Sequence, residues 1–211
     1  MENKIVTIPV RVDTSIFDIK KENYKLHSSL KIMMVGALSE RKNQVQLVHD
    51  LKSTGLNIEL TLAGDGPLRS SLELMANEAS SNVRVRLTGQ VNHQQLCEVL
   101  SGQDCYIHYS HSEGTPRAIL EAMALNIPVI TVDYPYMRGI IEDGRNALIM
   151  SRPEPDQLAR ALSTLVESEE LRKNLAENGR KLIESRFDSK KVFAIYRDSI
   201  LNMSPLGEKL S

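Results

Sequence analysis

Cysteine is scarce in this sequence, and no apolar run is long enough to cross a membrane. Cys97 and Cys105 are the only cysteines among 211 residues, with neither a Cys-x-x-Cys pair nor the spacing of a metal site. We expect both to be buried thiols in a reducing compartment, which excludes a disulfide-stabilised scaffold. No stretch approaches the roughly 18 apolar residues of a membrane span, and the opening residues MENKIVTIPV lack the form of a signal peptide. The expectation is a soluble, cytoplasmic protein.

A dominant charge of either sign is also missing. The net charge is −1, so nothing in the overall balance attracts nucleic acid or an anionic membrane, and we expect no nucleic-acid partner. Hydrophobic residues make up 41% and charged residues 25%, which suits one domain of generous size with a substantial core. The sequence has no internal repeat and no low-complexity stretch.

Short apolar runs alternate with helical periods along most of the chain. The run LKIMMVG, residues 30–36, is apolar almost throughout and ends in glycine, which predicts a strand buried on both faces. Further strands are predicted at 57–64, 83–89, 104–109, 128–132 and 147–150, with helices between them at 42–54, 67–79 and 93–100 and one beginning at Thr115. This alternation predicts an α/β fold with a doubly wound, Rossmann-like parallel sheet of about six strands.

The C-terminal part has a different pattern, with helices predicted at 156–167, 169–186 and 189–202 and no strand between them. Eight lysines and arginines stand against three acidic residues between Arg172 and Arg197. The excess predicts either a solvated helix face or a docking surface for a domain or for the inner face of a membrane. We divide the chain into a hinge-like segment at 1–28, a Rossmann-like domain at 29–187, and a C-terminal helix and tail at 188–211.

The segment EGTPRAILEAMALN, residues 113–126, is the most informative part of the sequence. Every residue in 118–125 is apolar except Glu121, and so apolar a helix is normally buried. A buried carboxylate is costly unless something binds it. Thr115 as N-cap and Pro116 as first helical residue predict where this helix begins.

Two carboxylates are therefore expected near one helix end. Glu113 lies in the loop that enters the helix, and Glu121 lies about a turn and a half inside it. We expect both to face a ligand near the helix N-terminus, where backbone N–H groups favour phosphate. The alternative is structural: Glu121 pairs with Arg117 one turn earlier, although arginine before glutamate is the less favourable order for such a pair.

In an open parallel sheet, ligands bind beyond the carboxyl ends of the strands. The loops predicted there contain glycines, Lys42 and the two acids. Lys42 offers a compact positive charge to phosphate, and carboxylates accept hydrogen bonds from sugar or ribose hydroxyls. Lys42 is also consistent with a solvated helix start, and the GDGP segment at 64–67 with a simple turn. Together these loops predict a phosphorylated ligand that carries hydroxyl groups.

Two histidines lie close to the acidic motif. Their spacing fits no metal site and no third ligand follows, so we expect no metal ion. His108 falls within a predicted strand and is expected to be a satisfied core or sheet residue, whereas His111 is a candidate for contact with the ligand.

Several motifs in order resemble one known family. They cover nearly the whole chain, and the most specific is the pair of glutamates eight positions apart in the EGTPRAILEAMA context. The motifs are VGALSERKN at 35–43, LAGDGP at 62–67, LTGQV at 87–91, EGTPRAILEAMA at 113–124, IPVI at 127–130 and IIEDGRNALI at 140–149. The chain resembles the C-terminal, donor-binding domain of a family 4 (group 1) glycosyltransferase, which is one half of the GT-B fold.

The resemblance implies retaining transfer of a sugar from a nucleotide-diphosphate sugar to a glycan or lipid-linked acceptor, in polysaccharide or lipopolysaccharide biosynthesis. It implies no metal and no cofactor, since the nucleotide sugar is a substrate. The implied catalytic residues are Glu113, which contacts the sugar hydroxyls, and Lys42, which stabilises the diphosphate. Glu121 contacts the ribose. The remaining implied donor-binding positions, where main chain approaches the ligand, are Gly36, Gly64, Gln90, Val91, Gly114 and Thr115, with Gln90 and Val91 near the base.

The chain departs from the family pattern at several positions. Ala37 stands where the family often has arginine, so one phosphate clamp is missing. Arg41 is a possible partial substitute for that arginine, but it neighbours Lys42 and is expected to point away from the site. Asn126 replaces the usual glycine at the helix end, where asparagine accepts a left-handed conformation.

The segment IPVRVDTSIF at 8–17 resembles the hinge that joins the two halves of these enzymes. The acceptor-binding domain that precedes this hinge is absent from the chain, so we expect half an enzyme that is inactive alone. Whether it is an excised piece, a truncated gene product or a separate subunit stays open. A second reading is a non-catalytic nucleotide-binding or interaction subunit that uses its basic tail helices, and the loss of the clamp at Ala37 favours it slightly. A GT-B epimerase or phosphorylase is a third, which the acidic motif argues against.

Overall fold

The computed structural model of the protein describes residues 8–17, 21–78 and 82–203. Its centre is one sheet of six strands in the order β3-β2-β1-β4-β5-β6, and all neighbouring strands are parallel. The strands are β1 Leu30–Val35, β2 Ile58–Ala63, β3 Val83–Gly89, β4 Cys105–His108, β5 Val129–Val132 and β6 Leu148–Met150. The predicted doubly wound sheet of six strands is confirmed, and each strand lies within the predicted bounds.

Helices connect the strands and cover the sheet. They are α1 Gln44–Ser53, α2 Arg69–Ala76, α3 His93–Ser101, α4 Arg117–Ala124, α5 Pro155–Glu167, α6 Glu169–Leu182 and α7 Ser189–Met203. The predicted end of the second helix at Ala79 lies outside the described residues. The long helix predicted at 169–186 is α6 followed by a π-helical turn, Ile183–Phe187. The three helices predicted after the last strand are otherwise confirmed.

Four predicted helix starts are wrong by one or two residues, and two of these are α2, which begins at Arg69 rather than Pro67, and α5, which begins at Pro155 rather than Asp156. The helix predicted from Lys42 is split, because Asn43 has a left-handed backbone (φ 63°) between a short 3-10 helix, Glu40–Lys42, and α1. The acidic helix starts at Arg117 rather than at Pro116, because Pro116 is extended (ψ 98°) and takes the N-cap position predicted for Thr115. Thr115 is exposed in the loop. The one-residue shift leaves both acids in their predicted places, with Glu113 in the loop before α4 and Glu121 inside the helix.

The middle of the sheet is buried on both faces. All four residues of β4 and all four of β5 are buried, and β1 and β2 have one or two half-exposed positions each. Helix α4 is buried from Ile119 to Ala124, so Glu121 lies in an apolar environment as its sequence context predicts. Cys97 and Cys105 are buried free thiols, as expected.

Two arginines of the basic C-terminal part are structural. Arg172 is buried and donates hydrogen bonds to the backbone oxygens of Tyr24, Leu165 and Val166. Arg180 is also buried and donates to the backbone oxygens of Phe17 and Ala124. These side chains attach α6 to the N-terminal segment and to the end of α4. The positive charge at the surface of the tail is therefore smaller than the sequence count suggests.

The N-terminal segment packs against the start of α7. Val12 donates its N–H to the Phe187 oxygen at 2.8 Å and accepts from the Ser189 N–H at 2.9 Å. The Thr14 hydroxyl donates to the Asp188 carboxylate at 2.5 Å. Within the described ranges, no helix is long and apolar enough to cross a membrane.

Candidate functional site

The loops after β1 and β2 pack directly against each other at the carboxyl edge of the sheet. A Cβ atom on Gly64 would lie 2.0 Å from the Gly36 oxygen, and one on Gly66 would lie 2.5 Å from the Leu38 oxygen. Only glycine permits such close backbone approach. Gly64 therefore has a structural role that the sequence did not reveal, and its contact with a donor stays a prediction.

Lys42 and Glu113 meet at this edge. Lys42 Nζ donates to Glu113 Oε1 at 2.6 Å, although 71 positions separate the two residues. Gly36 makes room for the lysine, because a Cβ there would lie 3.0 Å from Lys42 Cε. The side chains of Lys42 and Glu113 are only 12% and 10% exposed. The fold thus brings together the two residues predicted to be catalytic.

Arg41 also reaches this carboxylate, so the expectation that it points away is wrong. Its Nη1 lies 3.2 Å from Glu113 Oε1 and donates to the Ser112 oxygen at 3.0 Å. The reason is that the loop after β4 folds over the 3-10 helix, where the His111 N–H donates to the Arg41 oxygen at 3.0 Å. Arg41 therefore adds a second, more exposed positive charge beside Glu113.

His108 is a buried neighbour of Glu113 that sequence reasoning missed. It is fully buried at the end of β4, as a core or sheet residue should be, but its Nε2 lies 3.2 Å from Glu113 Oε1. Its Nδ1 lies 2.8 Å from the Tyr106 hydroxyl. The available signal was its position five residues before Glu113, at the carboxyl end of a buried strand. His111, the other candidate, is exposed.

Glu113 is held as an anion. Burial raises the pKa of this carboxyl, but the contacts from His108 and Lys42 outweigh burial and hold the pKa well below its usual range. Burial lowers the pKa of the His108 imidazole, and the nearby Glu113 offsets this only in part. At neutral pH the site therefore contains a neutral imidazole, a carboxylate and two cations.

Glu121 lies in different surroundings inside α4. Its Oε1 is 3.8 Å from Arg117 Nη2 and 3.9 Å from His93 Nδ1, and its side chain is 9% exposed. Burial raises the pKa of Glu121, and Arg117 and His93 only partly counter it. No hydrogen bond to this carboxylate is found among the described residues. The pairing with Arg117 exists, but it is a long contact to a side chain that is 61% exposed.

The remaining candidate positions border open space at the same edge. Gln90 and Thr115 are exposed, and Val91 is half-buried with its side chain against the core. A Cβ on Gly114 would meet no described atom within 4 Å. The end of β3 is tied to this edge because the Gly64 N–H donates to the Gly89 oxygen at 2.8 Å. Main chain at these positions is accessible to a ligand.

The site has the charges to bind an anion rather than a metal ion. In the part of the chain that the structure describes, no group of three or more histidine, cysteine, aspartate or glutamate residues is arranged to hold a metal ion. The charges of Lys42 and Arg41 are the positive groups that surround Glu113. Such a site can bind an anion next to a hydroxyl donor through side chains alone.

Curated relatives of this chain are sugar-transferring proteins. It is 26% identical over 170 residues to the alpha-D-kanosaminyltransferase of Streptomyces kanamyceticus, covering 79% of this chain and 44% of that protein. It is 27% identical over 158 residues to the putative teichuronic acid biosynthesis glycosyltransferase TuaC of Bacillus subtilis, covering 74% of this chain and 38% of that protein. The chain thus spans less than half the length of these two relatives.

Solved structures share the fold. One is Anabaena HepE in complex with UDP and glucose, with a TM-score of 0.77 and 20% identity over 92% of this chain and 56% of that one. Another is the C-terminal domain of the group 1 glycosyl transferase LpcC of Francisella tularensis, with a TM-score of 0.71 and 21% identity. That alignment covers 84% of this chain and 99% of the LpcC domain. This chain therefore shares its Rossmann-like fold with both structures.

The family model described as "Glycosyl transferases group 1" matches residues 15–182, which include all six strands and the acidic motif. The resemblance stated from the motifs is confirmed by this match over most of the chain. The chain belongs to the group 1 glycosyl transferases.

Proposed function

We propose that this chain is the donor-binding half of a retaining glycosyltransferase and binds a nucleotide-diphosphate sugar. The observation that carries the proposal is the 2.6 Å contact between Lys42 and Glu113 at the carboxyl edge of the sheet, with a buried Glu121 in the following helix. This is the edge at which ligands bind in open parallel sheets. The proposal is supported by HepE, a protein of the same fold that was crystallised with UDP and glucose.

Lys42 is proposed to bind the diphosphate. Glu113 balances the charge of Lys42, so a diphosphate at this site competes with that carboxylate for a cation that the fold already holds in place. Negative charge grows on the diphosphate as the sugar leaves, and a fixed cation stabilises that charge. Arg41 lies beside Lys42 and supplies further positive charge, which compensates for the alanine at position 37.

The two carboxylates are proposed to bind the hydroxyl groups of the donor. Glu113 accepts hydrogen bonds from the sugar, and Glu121 accepts them from the ribose. The absence of a hydrogen bond to Glu121 among the described residues supports this role, because a buried carboxylate needs a donor. Main chain at Gln90 and Val91 is proposed to contact the base, and the open backbone at Gly114 and Thr115 the sugar.

Catalysis is proposed to need no metal ion and to require an acceptor-binding half that covers the site. Full-length relatives are about twice as long as this chain. A groove of about 790 Å³ lies next to the site, lined by Thr115, Tyr136 and Ile140, by Ile8 to Val10, and by α7. Apolar residues of α7 are exposed, among them Phe193, Tyr196 and Leu201. We propose that the acceptor half packs on this surface, excludes water and positions the acceptor.

Glycan assembly is the proposed setting. Relatives include TuaC, described for teichuronic acid biosynthesis, and LpsE of Rhizobium meliloti, described for lipopolysaccharide core biosynthesis. The acceptor is therefore proposed to be a glycan or a lipid-linked sugar, reached from the cytoplasmic side with peripheral contact to the membrane.

Calorimetry on the purified chain tests the donor site. We expect weak binding of a nucleoside diphosphate among UDP, GDP and ADP, and no sugar transfer from the matching nucleotide sugar without an acceptor half. Lys42→Ala should reduce the affinity for the diphosphate by roughly tenfold or more, the range of a charged hydrogen bond. Lys181→Ala, an exposed lysine on α6, is the matched control and should change nothing. No heat with any of the three nucleotides contradicts the proposal.

The acceptor half is tested separately. The coding sequence next to this chain should contain a second Rossmann-like half, and adding that half should restore sugar transfer. If substitution of Phe193 and Tyr196 by serine leaves the restored activity unchanged, the proposed packing surface is wrong.

A further inference from the structure

A buried imidazole stands directly behind the proposed sugar-binding carboxylate. His108 has no exposed surface, and its Nε2 lies 3.2 Å from Glu113 Oε1. We propose that His108 is a positioning residue, which together with Lys42 fixes one oxygen of Glu113 so that the other oxygen is presented to a hydroxyl group of the donor sugar. The inference rests on the proposed function for its ligand, but the state of the imidazole can be measured without one.

The contacts of Glu113 are concentrated on one oxygen. Lys42 Nζ at 2.6 Å, Arg41 Nη1 at 3.2 Å and His108 Nε2 at 3.2 Å all approach Oε1. Among the described residues, no hydrogen bond reaches Oε2. A carboxylate oxygen has about two lone-pair sites, so Oε1 is saturated and Oε2 keeps its accepting capacity. The geometry presents a single directed acceptor rather than a freely rotating carboxylate.

The protonation of His108 follows from its neighbours. A lone pair on Nε2 would face the carboxylate and be repelled, so the proton lies on Nε2. Nδ1 then accepts a hydrogen bond from the Tyr106 hydroxyl, which is 2.8 Å away. Ser110 Oγ is 3.3 Å from Nε2 and shares that side of the ring. Burial and the adjacent cations Lys42 and Arg41 oppose a second proton, which keeps the imidazole neutral.

The ring itself is fixed in orientation. Tyr134 packs edge-on against His108, with ring centroids 5.8 Å apart and an interplanar angle of 83°. The Tyr134 hydroxyl donates to the Ser110 oxygen at 2.8 Å, which holds the strand end next to the histidine. Tyr106, His108 and Tyr134 are all buried. A donor on such a frame orients its acceptor with little loss of conformational freedom.

The first experiment measures the protonation state and the tautomer of the His108 imidazole directly. A long-range ¹H–¹⁵N NMR spectrum of the ligand-free chain should show His108 as a neutral ring with its proton on Nε2. In Tyr106→Phe, Nδ1 loses its hydrogen bond and its ¹⁵N signal should shift, whereas Tyr196→Phe on the surface of α7 should not affect it. A ring protonated on Nδ1 alone, or doubly protonated at neutral pH, overturns the inference.

The second experiment measures how the loss of His108 changes the affinity for the donor. His108→Leu combined with Tyr106→Phe removes the imidazole together with the tyrosine hydroxyl that it contacts. Of the hydroxyl groups around the ring, only that of Ser110 then loses a partner, so the variant should fold. Measured by calorimetry, its affinity for UDP-glucose should fall roughly tenfold while its affinity for UDP stays unchanged. His108→Gln has an amide that can donate to Glu113, and it should restore part of the loss.

The results distinguish the positioning role of His108 from the existence of the donor site. An equal loss for UDP and UDP-glucose, or no loss for either, overturns the positioning role while the donor site stands. If the unaltered chain binds GDP or ADP instead of UDP, the same comparison applies to that nucleotide and its glucose derivative. If it binds none of UDP, GDP and ADP, the donor site is wrong, and the NMR spectrum alone then decides whether His108 holds Glu113.

Discussion

Two carboxylates eight positions apart have opposite surroundings in this molecule. Glu113, in the loop after β4, is surrounded by Lys42, Arg41 and His108, which hold its pKa low despite burial. Glu121, inside α4, has only long contacts to Arg117 and His93, and burial raises its pKa. The loop comes within reach of the loop after β1, whereas the helix is enclosed by apolar side chains.

This difference agrees with the two different roles proposed for the acids of this motif. Glu113 is oriented before any ligand arrives, which suits a group that aligns the reacting sugar. Glu121 has no hydrogen-bond donor among the described residues, which suits a group that accepts a hydrogen bond from a hydroxyl of the ligand. A buried carboxylate without a hydrogen bond lowers stability, and such a cost is common at binding sites. The variants below test this contrast, beginning with the largest expected effect.

The largest contrast is expected in stability. Glu113→Gln leaves Lys42 nearly buried without its carboxylate and should lower the free energy of unfolding by about 2 kcal/mol. Glu121→Gln removes a charge that burial disfavours and should change stability by less than about 1 kcal/mol. Urea unfolding of the two variants measures both values. Equal destabilisation would mean that the two acids have the same structural role.

Nucleotide affinity should depend more on Glu121 than on Glu113, which is the reverse of the order expected for stability. Glu121→Gln should weaken UDP binding about tenfold, the effect of one hydrogen bond to a charged group. It should not weaken binding of 2′,3′-dideoxy-UDP, which lacks the ribose hydroxyls. Calorimetry with the two nucleotides measures the difference. Unchanged affinity for UDP together with unchanged folding would make Glu121 structural and favour the non-catalytic interaction subunit.

Lowering the pH should change the contributions of Glu113 and Glu121 to stability in opposite directions. The pKa of Glu113 is lower in the folded chain than in the unfolded chain, so its stabilisation is present above about pH 4.3 and is lost as the pH falls further. The pKa of Glu121 is raised, so its contribution becomes more favourable as the pH falls. Between about pH 6 and pH 3.5, Glu113→Gln should lose less stability than the unaltered chain, and Glu121→Gln should lose more. Denaturation at a series of pH values checks the sign, and shifts in the same direction would refute the contrast.

The smallest effect is expected at the other end of α4. Asn126 has a left-handed backbone (φ 58°), and its buried Oδ1 has no hydrogen-bond partner within the described ranges. Asn126→Gly should change the unfolding free energy by only a few tenths of a kcal/mol, whereas Asn126→Ala should cost about 1 kcal/mol. Neither should alter UDP binding, as thermal unfolding and calorimetry can show. A change in UDP affinity would mean that the helix end and the two acids are coupled.

The fold could be predicted largely from local patterns. The apolar runs that became β1, β4 and β5 are continuous because both faces of those strands are covered. Helix ends were less predictable, since Asn43 and Pro116 take extended or left-handed conformations that depend on the loops around them. The left-handed conformation expected at Asn126 is confirmed.

The candidate site was predictable in its members but not in its contacts. Lys42 and Glu113 could be selected because both fall at carboxyl ends of parallel strands. Nothing in the sequence indicated that Arg41 turns toward Glu113, because side-chain direction in a loop is set by the loop packed over it. The contact from His108 was equally hidden, since a histidine in a buried strand has no fixed partner until the next loop is placed.

The order of elements, the burial of α4 and the presence of two acids near its start were determined by the sequence alone, since periodicity and composition act over neighbouring residues. Tertiary structure decided that three side chains converge on one oxygen of Glu113 and that Glu121 has only long contacts to Arg117 and His93. It also decided that Arg172 and Arg180 lie inside rather than on a basic surface. The physical reason is that these outcomes depend on distances between segments far apart in the chain, where Coulomb and hydrogen-bond energies change within a few ångströms.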